Sequence, residues 1–383
     1  MTALTLTGLS TRPAQVWGGV RLVPLVRQEP IEDLRLSAQI YEEEFGLVEV
    51  TPRAAYLSYI PHGFVADWTR DGSPAAAYGT QLRGPAERDH VPSGMPLHFH
   101  RRMARRTGRN RLRFLPLHLA LEGYLSLHFG GPEIAWEEWS RRAIDQGLSP
   151  RVEESYSGAE VRGLRDALRI FEIHPGQCGV LVYVADALAS AFVVPHPDDY
   201  RALHTTLLHD LYGELIHHYA MYSVAVPDFR ARIVDAQVGS LADLRARARE
   251  RQEEWASFHD GVMANGLLRT DHTYQRVYEM DGYRLSRFLP SFERRQENHI
   301  GELVTDGAGR LAYLKTFRLS ENQVRRGHLL TRLAACGWNL AETAAALGMT
   351  EHELALRIEG AGFGHLLRQD ILDRYRAQAR RAR

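Results

Sequence analysis

Histidines, clustered arginines and a series of short C-terminal helices are the three features of this sequence able to do chemistry. His204, His209, Glu214, His217 and His218 fall on one predicted helix, with Glu214 and His217 three residues apart. That spacing lets a carboxylate and an imidazole share one metal inside a helical bundle. His118 with Glu122, and His98 with His100, are the candidates to complete such a set. The same helix carries Leu203, Leu207, Leu208, Leu211, Leu215 and Ile216 at helical spacing, so a histidine on it serves equally well as a cap or hydrogen-bonding group. There is no His-Glu-x-x-His, no paired Cys-x-x-Cys and no complete carboxylate set. The expectation is therefore no metal and no cofactor, with Glu214, His217 and His118 the positions a metal would use. A Gly-x-Ser-x-Gly elbow, a Walker loop and a dinucleotide-binding glycine pattern are missing too. Cys178 lies in an apolar strand, where a thiol is inert packing. Nothing in these residues requires an enzyme.

The second feature is a basic run. Between His98 and Arg113 stand Arg101, Arg102, Arg105, Arg106, Arg109, Arg111 and Arg113, with no acid among them. Cations gathered on one segment attract a polyanion by releasing its counterions. The plain alternative is a solvated loop in an arginine-biased chain, where Lys315 is the only lysine among 47 Lys and Arg residues. The third feature is C-terminal. Ser320 opens a predicted helix that ends at Gly337, Asn339 caps a second over 340–347, and Thr350 caps a third over 351–359. Leu333, Leu340, Ala344, Leu347, Leu354 and Ile358 are its expected core. Thr350, His352 and Arg357 on the third helix, Arg368, Arg374 and Arg376 on the tail, and Arg101, Arg102, Arg105 and Arg106 are the candidate DNA contacts. Eleven arginines against seven carboxylates from Arg318 onward favour a polyanion. Glu351 and Glu353 oppose it, because carboxylates at the start of a groove-reading helix repel phosphate. They suit the docking of a protein instead.

These features rest on a chain of 383 residues, 44% apolar and 25% charged, with no net charge. That length predicts two or three domains, and the composition excludes global disorder. Two distant cysteines exclude a disulfide framework and point to a reducing compartment. No basic start precedes a sustained apolar run, and no stretch spans a bilayer, so a soluble, cytoplasmic protein with no membrane partner is expected. Val20–Val26 reads as a strand that Pro24 places at an edge or a strand end. Further strands are expected at 47–50 and 54–60, a long loop at 70–96, and helices at 133–144 and 159–169. A buried hairpin is expected from 178–184 and 188–194, and then a long helix from Pro197 to about Tyr222. A charged helix over 240–266 precedes two hairpins, 274–280 with 283–289 and 300–305 with 310–317. The fold class is α+β: a mixed α/β N-terminal body over 1–235, a charged helix with a small antiparallel β unit over 236–318, and an all-helical module with a basic tail over 319–383.

Two resemblances bear on function. Within Leu329–Phe363, the stretch Trp338-Asn339-Leu340-Ala341-Glu342-Thr343-Ala344-Ala345-Ala346-Leu347-Gly348-Met349-Thr350 resembles the Fis-type helix-turn-helix. That likeness implies a DNA-binding fold and a homodimer. Phe171-Glu172-Ile173-His174-Pro175-Gly176-Gln177-Cys178-Gly179-Val180-Leu181-Val182, with Trp17–Leu25 and Gly46–Val50, resembles the ARG-and-rhodanese-phosphatase-superfamily-associated (ARPP) domains. Those bacterial domains keep genomic company with conflict and stress systems, and the resemblance implies no catalytic set. The expectation is a non-enzymatic bacterial regulator with a partner- or ligand-binding body and a DNA-binding module. Its alternatives are a protein-docking scaffold of a conflict system and a metal-dependent enzyme.

Overall fold

A computed structural model describes residues 2–40, 47–51, 54–58, 62–67, 76–78, 80–83, 106–108, 111–112, 171–208, 220, 224–227, 232–280, 282–319, 321–364 and 367–381. It is an α+β fold built on one antiparallel sheet. The strands are β1 (Thr2–Ala3), β2 (Leu9–Thr11), β3 (Gln15–Trp17), β4 (Val20–Arg27), β5 (Arg35–Ile40), β6 (Leu47–Thr51), β7 (Ala54–Ser58), β8 (His62–Asp67), β9 (Ala76–Tyr78) and β10 (Thr80–Arg83). After them come β11 (Arg106–Gly108), β12 (Arg111–Leu112), β13 (Gln177–Val184), β14 (Ala187–Val193), β15 (Asp271–Met280), β16 (Tyr283–Leu289), β17 (His299–Asp306) and β18 (Leu311–Arg318). Among the described residues, the helices are α1 (Pro197–Thr206), α2 (Leu241–Phe258), α3 (Asn265–Leu268), α4 (Glu321–Ala335), α5 (Leu340–Ala346), α6 (Glu351–Ile358) and α7 (Gln369–Arg381).

The main sheet has the order β1-β15-β16-β17-β18-β14-β13-β4-β2, with β3 also on β4. The expected boundary at 235/236 therefore does not divide the body. The hairpins β15–β16 and β17–β18 extend the same sheet as β4, β13 and β14, joined where Ser190–Val193 of β14 pairs with Leu314–Phe317 of β18. Their own turns were readable, but the β14–β18 seam links strands more than a hundred residues apart. Pro24 is likewise not at an edge, since β4 lies between β13 on one side and β2 and β3 on the other. The strand opposite Pro24 is broken: β2 pairs with Leu25–Arg27 and β3 with Val20–Leu22. A proline fits this gap because no ladder N–H is needed there, and the Pro24 carbonyl accepts from the Arg12 amide at 2.9 Å. The loop expected over 70–96 contains the short strands β9 and β10. The helices expected at 133–144 and 159–169 lie outside the described residues.

Apolar layers cover both faces of the sheet. On one, Tyr200, Leu203, Leu207 and Leu208 at and just after α1 pack over Val20, Val180, Phe192 and Tyr313. On the other, Trp255 of α2 and Ala264 and Leu267 at α3 pack over Leu25, Leu181, Val193 and Leu314. Cys178 is wholly buried, and burial pushes its thiol up to about 11, as inert packing requires. Gln177 serves the main chain, accepting from the His174 amide at 2.8 Å and donating to the Gly179 carbonyl at 3.1 Å.

The C-terminal helices form their own small core from Leu329, Leu330, Leu333, Ala344, Leu354, Ile358 and Phe363, with Leu340 and Leu347 partly buried. Gly337 and Trp338, at φ +57° and +64°, break the chain after α4. Asn339 then caps α5, its side chain accepting from the Glu342 amide at 3.2 Å. Thr350 caps α6 in a reciprocal box: its hydroxyl accepts from the Glu353 amide, and Glu353 accepts from the Thr350 amide at 2.8 Å. The module also grips the body. Val324 of α4 and Leu319 belong to the sheet core, and a Cβ on Gly327 would stand 2.2 Å from the ring of Phe292 in the β16–β17 loop.

Candidate ligand cavity and basic seam

A cavity of about 790 Å³ opens beside the edge of the sheet that faces α2. Five distant segments build it. Arg21 comes from β4, Asp186 from the β13–β14 turn, Pro227 from the chain before α2, residues 258–270 from the end of α2 through α3, and Gln296 and Glu297 from the β16–β17 loop. The turn positions Asp186 at a cost. Ala185 and Asp186 both sit at positive φ, +47° and +64°, a geometry that suits a two-residue hairpin but normally favours Gly or Asn. Asp186 there pairs with the Arg21 guanidinium at 3.0 Å. Arg21, 7% exposed, also donates to the Pro227 carbonyl at 2.7 Å and to the Met263 sulfur at 3.6 Å.

Beneath the apolar wall of the cavity runs a chain of hydrogen bonds that starts at the buried Tyr183 and ends on the half-exposed Asp260. Asp260 accepts from His259 Nδ1 at 2.7 Å, and His259 Nε2 lies 2.6 Å from the Tyr183 hydroxyl. Burial raises the Tyr183 phenol far above its ordinary value, which keeps it a donor. The chain anchors the turn over 259–263 that carries Val262 and Met263. Behind Glu297 lie two fully buried imidazoles, His272 and His299. Burial, then the neighbouring His299, lowers His272 to about 4. Burial pushes the Glu297 carboxyl up, but His299 and the Arg318 guanidinium at 3.3 Å outweigh it and hold Glu297 below its ordinary value.

Of the candidate metal residues, His204 lies among the described ones. His204 is a core group: Nε2 donates to the Phe171 carbonyl at 3.2 Å, and Nδ1 accepts from the Tyr200 hydroxyl at 3.1 Å. Glu214, His217, His118, Glu122, His98, His100, His209 and His218 lie outside the described residues. Among the described residues, no group of three His, Cys, Asp or Glu is arranged to hold a metal ion.

Four of the candidate DNA contacts, Thr350, His352, Arg368 and Arg376, make local contacts. Thr350 is consumed by its capping box, and its hydroxyl also stands 3.1 Å from His352 Nδ1. Arg368 pairs with both oxygens of Asp370, at 3.1 and 3.2 Å. Arg376 of α7 bonds Glu359 and, at 3.0 Å, Asp373, while Tyr375 donates to Glu351 at 3.0 Å. These contacts lay α7 across the 351/355/359 face of α6. Arg374 is exposed, and the side chains of Arg101, Arg102, Arg105 and Arg106 are outside the described residues.

Arg357 turns toward the body. Burial and then Arg294 of the β16–β17 loop lower its guanidinium. His328 of α4 feels the same cluster: burial, then Arg332, Arg294 and Arg357, hold it below its ordinary value. Sequence reading missed this seam, since Arg294 is an isolated loop residue until Phe292 docks on Gly327. The cavity was missed for the same reason, because Arg21, Asp186 and Glu297 share no local pattern.

The family model ARPP-2 matches residues 4–281, well over half the chain. The chain belongs to the ARPP-2 family. The match spans β2 through β15, the turn bearing Asp186 and the cavity wall over 258–270. It crosses the boundary expected at 235, as the continuous sheet does. Helices α4–α7 lie beyond it. No curated protein and no solved structure matches the chain. Among the described residues, no helix is long and apolar enough to cross a membrane.

Proposed function

We propose that this ARPP-2 protein is a non-enzymatic regulator whose body binds a ligand or partner and whose helices α4–α6 act as a helix-turn-helix on DNA. The observation that carries the reading is the basic seam. Arg294, His328, Arg332 and Arg357 converge between body and module, and all three arginines lower His328. Like charges held together are costly unless an anion joins them, and a DNA phosphate supplies one. The carboxylates that argued against DNA are partly committed inside the module, Glu353 to its cap and Glu351 to Tyr375. On this reading the protein meets the DNA backbone more than its base edges.

The test is fluorescence anisotropy of the full chain on duplex DNA, titrated with salt. Arg294→Glu with Arg332→Glu should weaken binding on every sequence and flatten the log–log salt slope by about 1 per lost phosphate contact. Absence of salt-dependent binding by the wild-type chain would overturn the reading. A protein-docking module would then take its place, favoured by the way α7 lies across α6 and encumbers its approach to a groove.

A further inference from the structure

We propose that the cavity between Arg21 and Arg269 binds a small organic monoanion, its carboxylate toward the arginines and its apolar part against Phe258, Val262 and Met263. This rests on the ligand-binding half of the function above and not on its DNA half.

Charge comes first. Arg21 and Arg269 line the cavity, and so do Asp186 and Glu297. Both carboxylates already have cations: Asp186 has Arg21 at 3.0 Å, and Glu297 has Arg318 at 3.3 Å. With Asp186 and Glu297 each paired, Arg269 is, among the described residues, the lining cation without a carboxylate partner, and it is the charge a guest's carboxylate would neutralise.

Arg21 adds a specific demand. It is nearly buried, yet among the described residues its Nη1 meets only the Met263 thioether, at 3.6 Å, and its Nε has no acceptor. A buried guanidinium with unmet donors is costly, and an anion beside it relieves that cost. The cavity is also shaped. A Cβ on Gly266 would lie 2.4 Å from Glu297 Oε2, so only glycine lets the β16–β17 loop close against α3. Phe258 and Val262 are 48% and 62% exposed, large apolar surface left uncovered at the cavity wall. The Tyr183–His259–Asp260 chain holds the turn behind them.

Phenylacetate combines one carboxylate with an apolar body. Saturation-transfer NMR on the full chain should show saturable binding of phenylacetate below about 10 mM, an affinity within reach of one charged contact and a ring. Neutral phenylacetamide and inorganic phosphate should each bind about tenfold more weakly, for want of the charge or the apolar part. Val262→Trp fills the mouth from a surface position and should abolish binding. Arg269→Gln should weaken it several-fold. These two variants decide the matter even if Arg21→Met fails to fold. No binding of phenylacetate, binding that survives Val262→Trp, or equal binding of the amide or of phosphate overturns the proposal. No DNA is present, so a negative result here leaves the DNA reading standing, and the reverse holds.

Discussion

Gly327→Ala should destabilise the chain, although alanine is the better helix former. Gly327 lies mid-way along α4, where alanine gains about 1 kcal/mol over glycine in an unhindered helix. Here the new Cβ would stand 2.2 Å from Cδ1 and Cε1 of Phe292, and ordinary contact begins near 3.4 Å. The ring or the helix must therefore move by about 1.2 Å. Neither moves freely. Phe292 is 2% exposed, packs in the main core, and already holds φ +55°, a region that bulky residues avoid. Overpacking of this kind costs about 1–3 kcal/mol, and the displacement argues for the upper half, so a net loss of about 1–2 kcal/mol is expected. Urea denaturation of the full chain measures it. A double-mutant cycle with Phe292→Ala isolates the cause: removing the ring should make Gly327→Ala neutral or stabilising, a coupling of about 1–3 kcal/mol. If Gly327→Ala alone raises the urea midpoint, α4 is not seated on Phe292 and the account of how the module joins the body fails.

Three further outcomes follow from the same reasoning. The unfolded chain protonates His272 near its ordinary 6.5 and the folded chain near 4, so the unfolded state binds more protons between these values. Stability should fall as pH drops through this window, by about 3 kcal/mol in all, and His272→Leu should flatten the slope of urea midpoint against pH; an unchanged slope refutes the assignment. Thr350→Ala removes the hydroxyl half of the α6 capping box while leaving the residue-350 amide to Glu353, and should cost about 1 kcal/mol, read as faster hydrogen exchange across 351–358; unaltered exchange would contradict it. Asp199, 6% exposed, accepts from Arg35 at 2.6 Å and from the Leu36 amide at 2.8 Å, so Asp199→Ala should cost about 2 kcal/mol in thermal or urea melts, and a neutral result would remove it from the structural frame.

What the sequence disclosed was local. The β15–β16 hairpin follows from alternating residues around Asp281-Gly282, and Gly282 takes φ +94°, as such a turn needs. Asn339 and Thr350 announced α5 and α6 because a cap acts within three residues of itself. The resemblance to ARPP domains rested on contiguous segments of the same kind. Pairings between segments were hidden, since no local period records that β14 meets β18 or that Phe292 meets Gly327. The cavity and the basic seam are both products of such pairings. One loop, 290–298, takes part in each: Gln296 and Glu297 line the cavity, while Phe292 and Arg294 meet the module.

The middle of the sheet shows why period-two reading fails in this body. Glu302 of β17 stands opposite Lys315 of β18 and opposite Arg287 of β16, and all three are at most 5% exposed. A strand that is apolar on one face and polar on the other would show such charges to water. This sheet is covered on both faces, so its polar positions are buried with the rest and must answer one another across the strands. Tyr313 donates to Glu302 at 3.2 Å, and burial, opposed by Glu302, lowers Lys315 to about 8. Removing the carboxylate should therefore hurt more than its size suggests. Glu302→Gln keeps the shape but removes the carboxylate that raises Lys315 against its burial, for an expected loss of about 3 kcal/mol at pH 7. The loss should shrink above pH 8, where Lys315 sheds its proton in the folded chain. A Glu302→Gln urea midpoint that stays level with wild type at pH 7, or a difference that does not narrow between pH 7 and pH 9, would show that the row is not held together by charge.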